Sequence, residues 1–268
     1  MIKLSVGILA SCLLFIIVSC NDSDDKSVAA PQPGNSKDVL QKAIKKYPDS
    51  LSLVQNLIEI YRDEGSYDSA LLLTDMQIKK DSGNAFLWNM KATLLFENED
   101  TLNSIDALER AINIYPLPEY FVALGTIYAE IKNPKSLLIA DDLLKTDRVK
   151  SGKDAMFIKG LYYSDINEKR KAINYFDSSL AMDYTYMFSY REKAIALYDL
   201  GRYEEGIEVL KRAVTLQNNF DEGYYWMGKC YEKLGRKEEA IQNYQTALLY
   251  DKNFIEAREA LDKLQSEK

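Results

Sequence analysis

The chain has 268 residues, 47 % of them hydrophobic and 28 % charged, which is ordinary for a soluble protein with a packed core. It contains no histidine, which excludes the commonest general base, the serine and cysteine hydrolase triads and most transition-metal sites. The formal charge is −7 and no basic run occurs, so the chain lacks the electrostatic footprint of a nucleic-acid binder.

The N-terminal residues have the pattern of an export signal. Lys3 precedes an apolar run from Leu4 to Val18, which is short for a transmembrane helix, so residues 1–19 are predicted to be a secretory signal peptide. The run ends in Ile17-Val18-Ser19-Cys20, which resembles the bacterial lipobox. That resemblance implies cleavage before Cys20 and lipidation of its thiol and amine, and several acyl chains on one residue give stable anchoring. An uncleaved signal anchor and an ordinary signal peptide are the alternatives.

Residues 20–35 are polar and contain Pro, Gly and Ser, so we expect a flexible tether behind the anchor. The tether begins with the acidic residues Asp22, Asp24 and Asp25. This cluster resembles the signal that sends some Bacteroidota lipoproteins to the cell surface, although a generic solvated tether has the same composition. We therefore expect a lipid-anchored protein of the cell envelope, in the outer membrane, on its periplasmic face or at the cell surface.

A helix–turn–helix pattern then recurs six times. The copies begin at residues 51, 85, 118, 153, 187 and 221, so the spacings are 34, 33, 35, 34 and 34. The eighth position of each copy tends to be small and is occupied by Ile58, Ala92, Gly125, Gly160, Ala194 and Gly228. The twentieth is occupied by Ala70, Ser104, Leu137, Ala172, Gly206 and Ala240. A period near 34 residues with these small positions resembles the tetratricopeptide repeat (TPR) family.

The resemblance implies an all-α fold, an α-solenoid in which TPR units form a right-handed superhelix over residues 36–268. The repeats are expected near residues 51–84, 85–117, 118–152, 153–186, 187–220 and 221–254. Terminal cap helices are expected at 36–47 and 254–267, because an array otherwise exposes a core face at each end. In the last cap we expect the residues facing the preceding unit to be Ile255, Ala257, Ala260, Leu261 and Leu264.

Local residues refine this arrangement. Gly65, Gly201 and Gly235 fit the tight turns between the two helices of a unit. The second helix of the third unit, from Lys135 to Thr146, departs from the pattern at its small positions and is expected to be out of register by one residue. Because two helices approach closely only where side chains are small, Gly228 is expected to resist enlargement.

No constellation of catalytic, cofactor-binding or metal-binding residues is found. The adjacent carboxylates Asp141-Asp142, Glu204-Glu205 and Glu238-Glu239 are expected on solvated helix surfaces or near helix starts. Phosphate-binding glycine loops are absent from the sequence. Cys230 lies in the middle of a helix and is interpreted as a small buried hydrophobe.

The TPR resemblance also implies a concave groove that binds a protein or peptide partner. Carried onto this sequence, the groove residues are Phe86, Asn89, Thr93, Phe96, Val122, Phe157, Leu161, Phe188, Arg191, Tyr198, Tyr225 and Lys229. Asn89 is expected to bond a peptide backbone, and Arg191 and Lys229 to meet acidic groups. The alternative is that the aromatic members belong to the core. The Lys/Asn clamp of chaperone-binding TPR domains is missing, which argues against capture of a C-terminal tail of that kind.

Two functions are consistent with these patterns. The first is a membrane-anchored TPR scaffold that mediates protein–protein interaction in the bacterial cell envelope. The alternative is a ligand-binding sensor or uptake accessory lipoprotein that recognises a peptide or glycan, with Trp88 among its stacking surfaces. We do not expect an enzyme.

Overall fold

A computed structural model describes residues 37–266 of the chain. Over this range the backbone forms helices joined by short turns, and no strand occurs there. The helices are α1 (Lys37–Lys46), α2 (Leu51–Asp63), α3 (Tyr67–Lys80), α4 (Ala85–Glu97), α5 (Thr101–Ile114), α6 (Pro118–Glu130), α7 (Lys135–Thr146), α8 (Arg148–Asp165), α9 (Lys169–Met182), α10 (Met187–Asp199), α11 (Tyr203–Leu216), α12 (Asp221–Lys233), α13 (Lys237–Tyr250) and α14 (Ile255–Ser266). The predicted all-α fold is confirmed.

The predicted signal peptide, Cys20 and the acidic tether lie outside the described residues. Within residues 37–266, each helix is too short or too polar to cross a membrane. Helices α2, α4, α6, α10 and α12 start at the first residues of five of the sequence repeats.

The chain divides into two compact units, the first ending at Ala123 and the second beginning at Leu124, so the boundary falls within α6. In the first unit, apolar faces of α2, α3 and α4 meet in a core. Val54 and Ile58 of α2, which are four residues apart on one helix face, contact this core together with Ala70 of α3. Met90 and Leu94 of α4 complete it.

The second unit contains two core clusters. One joins α8, α9 and α10 and is centred on Phe157 and Phe176, which are 2 % and 0 % exposed. The other joins α10 to α14 and is centred on Tyr231 and Tyr244. These aromatic side chains fill the spaces beside the close contacts between helices, where they bury large apolar areas.

The turns inside the six helix pairs share one geometry. The predicted turn residues Gly65, Gly201 and Gly235 have φ values of 69°, 72° and 71°, which confirms the interpretation, because glycine tolerates the left-handed region. Glu99, Lys132 and Asn167 adopt the same conformation at the equivalent sites. In every case the next N–H donates to a carbonyl five residues earlier, as in Ser66 to Tyr61 at 2.7 Å and Arg236 to Tyr231 at 2.9 Å. This bond closes each first helix in a Schellman-type cap.

Two features of the third and fourth pairs differ from the regular pattern. The first helix of the fourth pair starts at Arg148, five residues before the Lys153 at which the repeat pattern begins. The cause is an N-terminal cap: the Asp147 Oδ1 atom accepts hydrogen bonds from the backbone N–H groups of Val149 and Lys150.

The register shift predicted for α7 is confirmed. Its buried face consists of Ser136, Ala140 and Leu143, whereas Leu137 and Leu144 remain partly exposed. The contact positions are therefore displaced by one residue towards the N-terminus.

The terminal helix α14 covers the end of the second unit, and one residue expected in the contact does not take part. Ala257 and Leu264 are buried, and Ala260 and Leu261 pack against the same cluster. Ile255 is 67 % exposed, because it is the first helical residue and lies on the opposite side of the helix from Ala257.

Two of the glycines predicted at the helix contacts, Gly160 and Gly228, lie against aromatic rings. A Cβ atom placed on Gly228 of α12 would stand 2.6 Å from Tyr244 Cε1. The Tyr244 ring is fully buried, and its hydroxyl donates to Glu232 Oε2 at 2.9 Å, so the ring has little room to move. Ala240 and Ala247 of α13 are also fully buried.

Enlarging Gly228 should therefore destabilise the protein. We expect Gly228→Leu to lower the free energy of unfolding by about 1–3 kcal/mol through overpacking. Gly83 is a suitable control, because it lies in an exposed turn where a new Cβ meets only Asp81 Oδ1, at 3.7 Å. Urea denaturation of both variants measures the difference, and equal losses at the two sites would contradict the close contact.

Candidate functional site

In the first unit the structure separates the predicted groove residues into two groups. Phe86, Asn89 and Val122 are partly exposed, as a contact surface requires. Thr93 and Phe96 are only 3 % and 7 % exposed. Their placement in the groove is wrong, because α4 is apolar around most of its circumference and is packed between α3 and α5.

The same separation occurs in the second unit. Phe157 and Leu161 are each 2 % exposed, and their assignment to the groove is wrong. The Phe157 ring contacts those of Phe176, Tyr186 and Phe188, with centroids 5.9, 5.5 and 6.3 Å away. It is therefore a core residue of the α8–α10 cluster.

Arg191 of α10 is fully buried, so the expectation that it meets acidic groups of a partner is wrong. Its Nε atom donates to Glu192 Oε1 at 2.9 Å. Its Nη1 atom donates to both carboxylate oxygens of Glu222 on α12, at 2.8 and 2.7 Å. Two carboxylates of the same unit therefore engage this guanidinium group, which is 5.5 Å from the ring centroid of Phe188.

Two further carboxylates, Glu130 and Asp165, are influenced by the charge of Glu192, one of the two partners of Arg191. Burial raises the pKa of Glu130 to about 8, helped by the negative charges of Asp165 and Glu192 and opposed by Arg191. Burial likewise raises the pKa of Asp165 to about 7, with a further contribution from Glu192. Carboxylates on α6, α8, α10 and α12 therefore influence one another electrostatically, and Arg191 binds two of them and opposes the rise at Glu130.

Half-buried aromatic residues adjoin the carboxylates. Glu222 and Tyr225 are three residues apart, so they share one side of α12. The Tyr225 ring contacts Trp226 at 5.6 Å and Phe254 at 4.9 Å between centroids, and Trp226 contacts Tyr198 of α10 at 5.6 Å. We call Glu130, Asp165, Glu192, Glu222, Tyr198 and Tyr225 the acidic–aromatic face.

Burial away from water is the main cause of the raised pKa values of the two tyrosines in this face, Tyr198 and Tyr225. Burial raises the pKa of Tyr198 to about 12, and it does the same for Tyr225, where Glu256, Glu232 and Glu259 add to the effect. Both phenols are therefore neutral at physiological pH and can contribute hydrogen bonds and ring faces. Phe188 and Lys229 complete the predicted groove residues that remain partly exposed in this unit.

Other residues that the sequence analysis named, Trp88, Cys230 and the paired glutamates, lie outside the acidic–aromatic face. The Trp88 Nε1 atom donates to the Ser82 carbonyl oxygen at 3.0 Å, and the Arg110 guanidinium carbon lies 4.8 Å from the indole centroid. Cys230 is fully buried, and burial raises the pKa of its thiol to about 12, which confirms its interpretation as a buried hydrophobe. Glu204, Glu205 and Glu238 are exposed in the first turns of α11 and α13, as expected.

The acidic–aromatic face offers charge and aromatic surface, and no arrangement for metal binding. Within residues 37–266 no three Asp, Glu or Cys side chains are placed to hold a metal ion. Sequence reasoning missed Trp226 and all four carboxylates. A signal for two of them was present, since Glu130 and Asp165 both occupy the thirteenth position of their repeats, at the ends of α6 and α8.

Comparison with known families identifies the repeats. A model of the tetratricopeptide repeat matches residues 221–254, and a second TPR repeat model matches residues 195–235. The chain is a TPR protein. Its repeats thus belong to a family of protein-interaction modules, so this TPR protein has the architecture of an interaction scaffold.

Relatives and solved structures agree with this identification. The TPR protein is 24 % identical over 232 residues to tetratricopeptide repeat protein 1 of Schizosaccharomyces pombe, which covers 76 % of this chain and 22 % of the relative. It is 30 % identical over 128 residues to a TPR repeat-containing protein of Methanocaldococcus jannaschii, covering 48 % and 37 %. The chain thus spans well under half the length of these curated relatives.

A TPR protein from Parabacteroides merdae superimposes with a TM-score of 0.67 at 18 % identity, covering 85 % of this chain and 91 % of that one. A TPR protein from Thermus thermophilus superimposes with a TM-score of 0.58 at 16 % identity, covering 68 % and 99 %. At these identities the likeness shows the fold alone, which is the TPR α-solenoid.

Proposed function

We propose that this TPR protein is a lipid-anchored scaffold of the bacterial cell envelope that holds a partner protein against the acidic–aromatic face of its second unit. The observation that carries the proposal is the cluster of half-buried rings on α10 and α12, where Tyr198, Tyr225 and Trp226 contact one another and keep part of their surface open. Aromatic residues that remain accessible are enriched at the energetic centres of protein interfaces.

The anchor in this proposal is supported by the N-terminal sequence. A charged Lys3, an apolar run and the Ile17-Val18-Ser19-Cys20 box together favour lipidation at Cys20. The acidic residues behind Cys20 are consistent with an outer-membrane lipoprotein. The tether expected from the sequence is about 15 residues long, and a coil of that length would span roughly 20 Å by the square-root rule, so the proposal holds the chain near the membrane.

The alternative function, a sensor or uptake accessory for a peptide or glycan, is less well supported. Trp88 is one of the stacking surfaces on which it depends, together with the aromatic residues of the predicted groove. One side of the Trp88 ring is covered by Arg110, and the indole N–H is already bonded to Ser82. Because the partly exposed rings on α10 and α12 form a cluster of three beside the carboxylate of Glu222, a protein partner is favoured.

Affinity capture tests the partner. The intact chain is captured from membranes of its native host after gentle crosslinking, and the bound proteins are identified by mass spectrometry. We expect one envelope protein to be enriched with the wild type and lost from the Tyr198→Ala/Tyr225→Ala double variant. Tyr184→Ala is the matched control, since Tyr184 is 67 % exposed in the same unit and outside the proposed face.

Thermal denaturation followed by circular dichroism establishes that the double variant is folded at the capture temperature. Lys229→Glu serves as a second variant, because this partly exposed residue lies one turn after Tyr225 on α12. Retention of the partner by both the Tyr198→Ala/Tyr225→Ala variant and the Lys229→Glu variant would overturn the proposed face.

The same experiment includes an arm for the anchor. Metabolic labelling with an alkyne-tagged fatty acid is expected to label the wild type, and Cys20→Ala is expected to remove the label and release the chain from the membrane fraction. Equal labelling of the two chains would overturn the lipid anchor and leave the partner result to be judged separately.

A further inference from the structure

The ends of α1 and α3 form a positively charged surface on the first unit. Lys45 and Lys46 are exposed in the last turn of α1, and Lys79 and Lys80 are exposed in the last turn of α3. The Lys80 Nζ atom donates to the Pro48 carbonyl oxygen at 3.1 Å, so the end of α3 lies against the turn that follows α1. We call Lys45, Lys46, Tyr47, Lys79 and Lys80 the basic edge.

The charge of the basic edge is open to solvent and is not neutralised by the chain. Among residues 37–266, no carboxylate forms an ion pair with any of its four lysines, whereas Lys91 of the same unit is paired with Asp75 at 2.7 Å. The carboxylates next to the edge in sequence are Asp49 and Asp81, both exposed. Four cations beside two anions leave this edge positive in a chain whose formal charge is −7.

Aromatic and apolar side chains adjoin these cations. Tyr47 is 54 % exposed, and the Lys46 Nζ atom lies 5.2 Å from its ring centroid. On α3, Leu72 and Met76 are 63 % and 48 % exposed and form one stripe with Lys80, since each is four residues from the next. Such a surface suits the interface of a bilayer, where tyrosine lies at the level of the headgroups and lysines meet anionic lipids.

The position of the basic edge along the chain indicates which partner covers it. The first residue of α1, Lys37, is 17 positions after Cys20. With the chain anchored at Cys20, a coil of that length would hold α1 within about 20 Å of the lipid headgroups. This proximity raises the effective concentration of the membrane surface at the basic edge above that of a freely diffusing acidic protein.

We infer that the basic edge rests on the anionic phospholipid surface of the membrane that holds the anchor. The inference rests on the proposed lipid anchor, and it adds a second contact with the membrane, made by the folded first unit. An anchor at Cys20 fixes only one point of the chain, whereas a second contact restricts how the first unit is oriented on the bilayer.

Tryptophan quenching tests the inference on the full-length chain, purified from membranes of its host and reconstituted into vesicles. In a Trp88→Phe/Trp226→Phe background, which removes both native tryptophans, Tyr47→Trp places the only reporter in the basic edge. The vesicles contain phosphatidylcholine with brominated acyl chains, either alone or mixed with phosphatidylglycerol. We expect quenching of this reporter to be at least about twofold stronger in the anionic vesicles, because headgroup charge draws the lysines to the surface.

A second reporter position is the matched control. Leu102, near the start of α5 in the same unit, is 79 % exposed and lies outside the basic edge. In the same background, Leu102→Trp should be quenched weakly and equally in the two kinds of vesicle. Circular dichroism establishes that both reporter chains are folded.

Charge-matched variants separate the basic edge from general attraction of lysines to anionic lipid. Combined with the Tyr47→Trp reporter, Lys45→Gln/Lys79→Gln should remove the difference between anionic and neutral vesicles. Lys145→Gln/Lys150→Gln removes the same number of charges from lysines of the second unit that are 75 % and 86 % exposed, and it should leave the difference unchanged.

Several outcomes would overturn the inference: equal quenching at position 47 in the two kinds of vesicle, equal quenching at positions 47 and 102, or equal effects of the two double-lysine variants. Loss of a captured envelope protein from Lys45→Gln/Lys79→Gln, with no dependence of quenching on lipid charge, would also overturn it and assign the edge to an acidic protein.

The fatty-acid label at Cys20 distinguishes these results from failure of the proposed anchor. A labelled chain that is not quenched at position 47 keeps the anchor and rejects the lipid contact. An unlabelled chain that is quenched there in anionic vesicles alone keeps the lipid contact and rejects the anchor. Capture of a partner through Tyr198 and Tyr225 is independent of both.

Discussion

Arg191→Met is expected to lower the free energy of unfolding of the second unit by about 3–5 kcal/mol, the usual cost of removing one member of a buried ion pair. The substitution leaves Glu192 and Glu222 without their shared donor, and it removes the positive charge that opposes the raised pKa of Glu130. Methionine approximates the length of the lost side chain, so the change is chiefly one of charge and hydrogen bonding.

The measurement is urea denaturation in a Trp88→Phe background. The chain has two tryptophans, Trp88 in the first unit and Trp226 in the second, so this background makes fluorescence report on the second unit. Arg202→Met is the matched control. Its guanidinium donates to both oxygens of Glu205 at 2.6 Å but is largely exposed, so water screens the pair and the expected loss is much smaller than at Arg191.

Equal losses for the two arginine variants would contradict the central role of Arg191. A second comparison identifies the cause of the loss. Neutralising the stranded carboxylates in Arg191→Met/Glu192→Gln/Glu222→Gln should recover part of the stability, because residues in one network are not additive. No recovery would indicate that packing of the guanidinium, and not its charge, is what stabilises the unit.

Glu130→Gln is expected to stabilise the protein at alkaline pH and to have little effect in acid. Burial raises the pKa of Glu130 in the folded state to about 8 from its ordinary value of 4.5; the negative charges of Asp165 and Glu192 add to the rise, and Arg191 opposes it. Between these two values the folded state retains a proton that the unfolded state has lost, so stability falls as pH rises, by up to about 1.4 kcal/mol per pH unit. Above pH 8 the loss is complete.

The variant removes this titration. We therefore expect Glu130→Gln to exceed wild type by a few kcal/mol at pH 9, on the order set by that slope, and to match it near pH 4.5. Asp165, whose pKa is raised to about 7 and which also faces Lys169 and Lys132, keeps a smaller dependence of the same sign in the variant. Urea denaturation at several pH values between 4.5 and 9 measures both.

Glu239→Gln is the control for the pH series. The pKa of this exposed carboxyl is lowered by a hydrogen bond from Arg236, so its contribution is present above its unfolded pKa and lost as pH falls. It should therefore show no gain at pH 9. A Glu130→Gln curve parallel to wild type from pH 4.5 to 9 would show that the Glu130 carboxyl does not experience the burial and the acidic surroundings described.

Much of the fold could be predicted because it depends on local chemistry repeated along the chain. The period of about 34 residues, with small residues at the helix contacts, predicted the paired helices. Glycines at positions 65, 201 and 235 predicted left-handed turns, since other residues adopt that conformation at a cost. Even the one-residue displacement of α7 was indicated by the departures at Leu137 and Leu144. Such features need only a short segment and its periodicity.

The candidate site was only partly predictable. Of the residues that the TPR resemblance placed in a groove, Phe86, Tyr198 and Tyr225 are partly exposed, whereas Phe157 and Arg191 lie in the interior. A repeat position specifies the direction in which a side chain leaves its own helix. Whether the side chain pointing there is covered depends on the size of residues contributed by neighbouring helices, and that differs from one pair to the next.

The sequence by itself therefore determined the helices, their turns and the contacts between paired helices, because each of these depends on residues within one repeat. Only the tertiary structure decided the charge of the acidic–aromatic face. Glu130, Asp165, Glu192 and Glu222 are separated by 27 to 35 residues along the chain, yet four consecutive pairs of helices bring them into one electrostatic network with Arg191. Electrostatic interactions act over a few ångströms of space, whatever the separation along the chain. The sequence therefore predicted Arg191 as a positive contact for a partner, whereas in the fold its charge is taken up by carboxylates of its own chain.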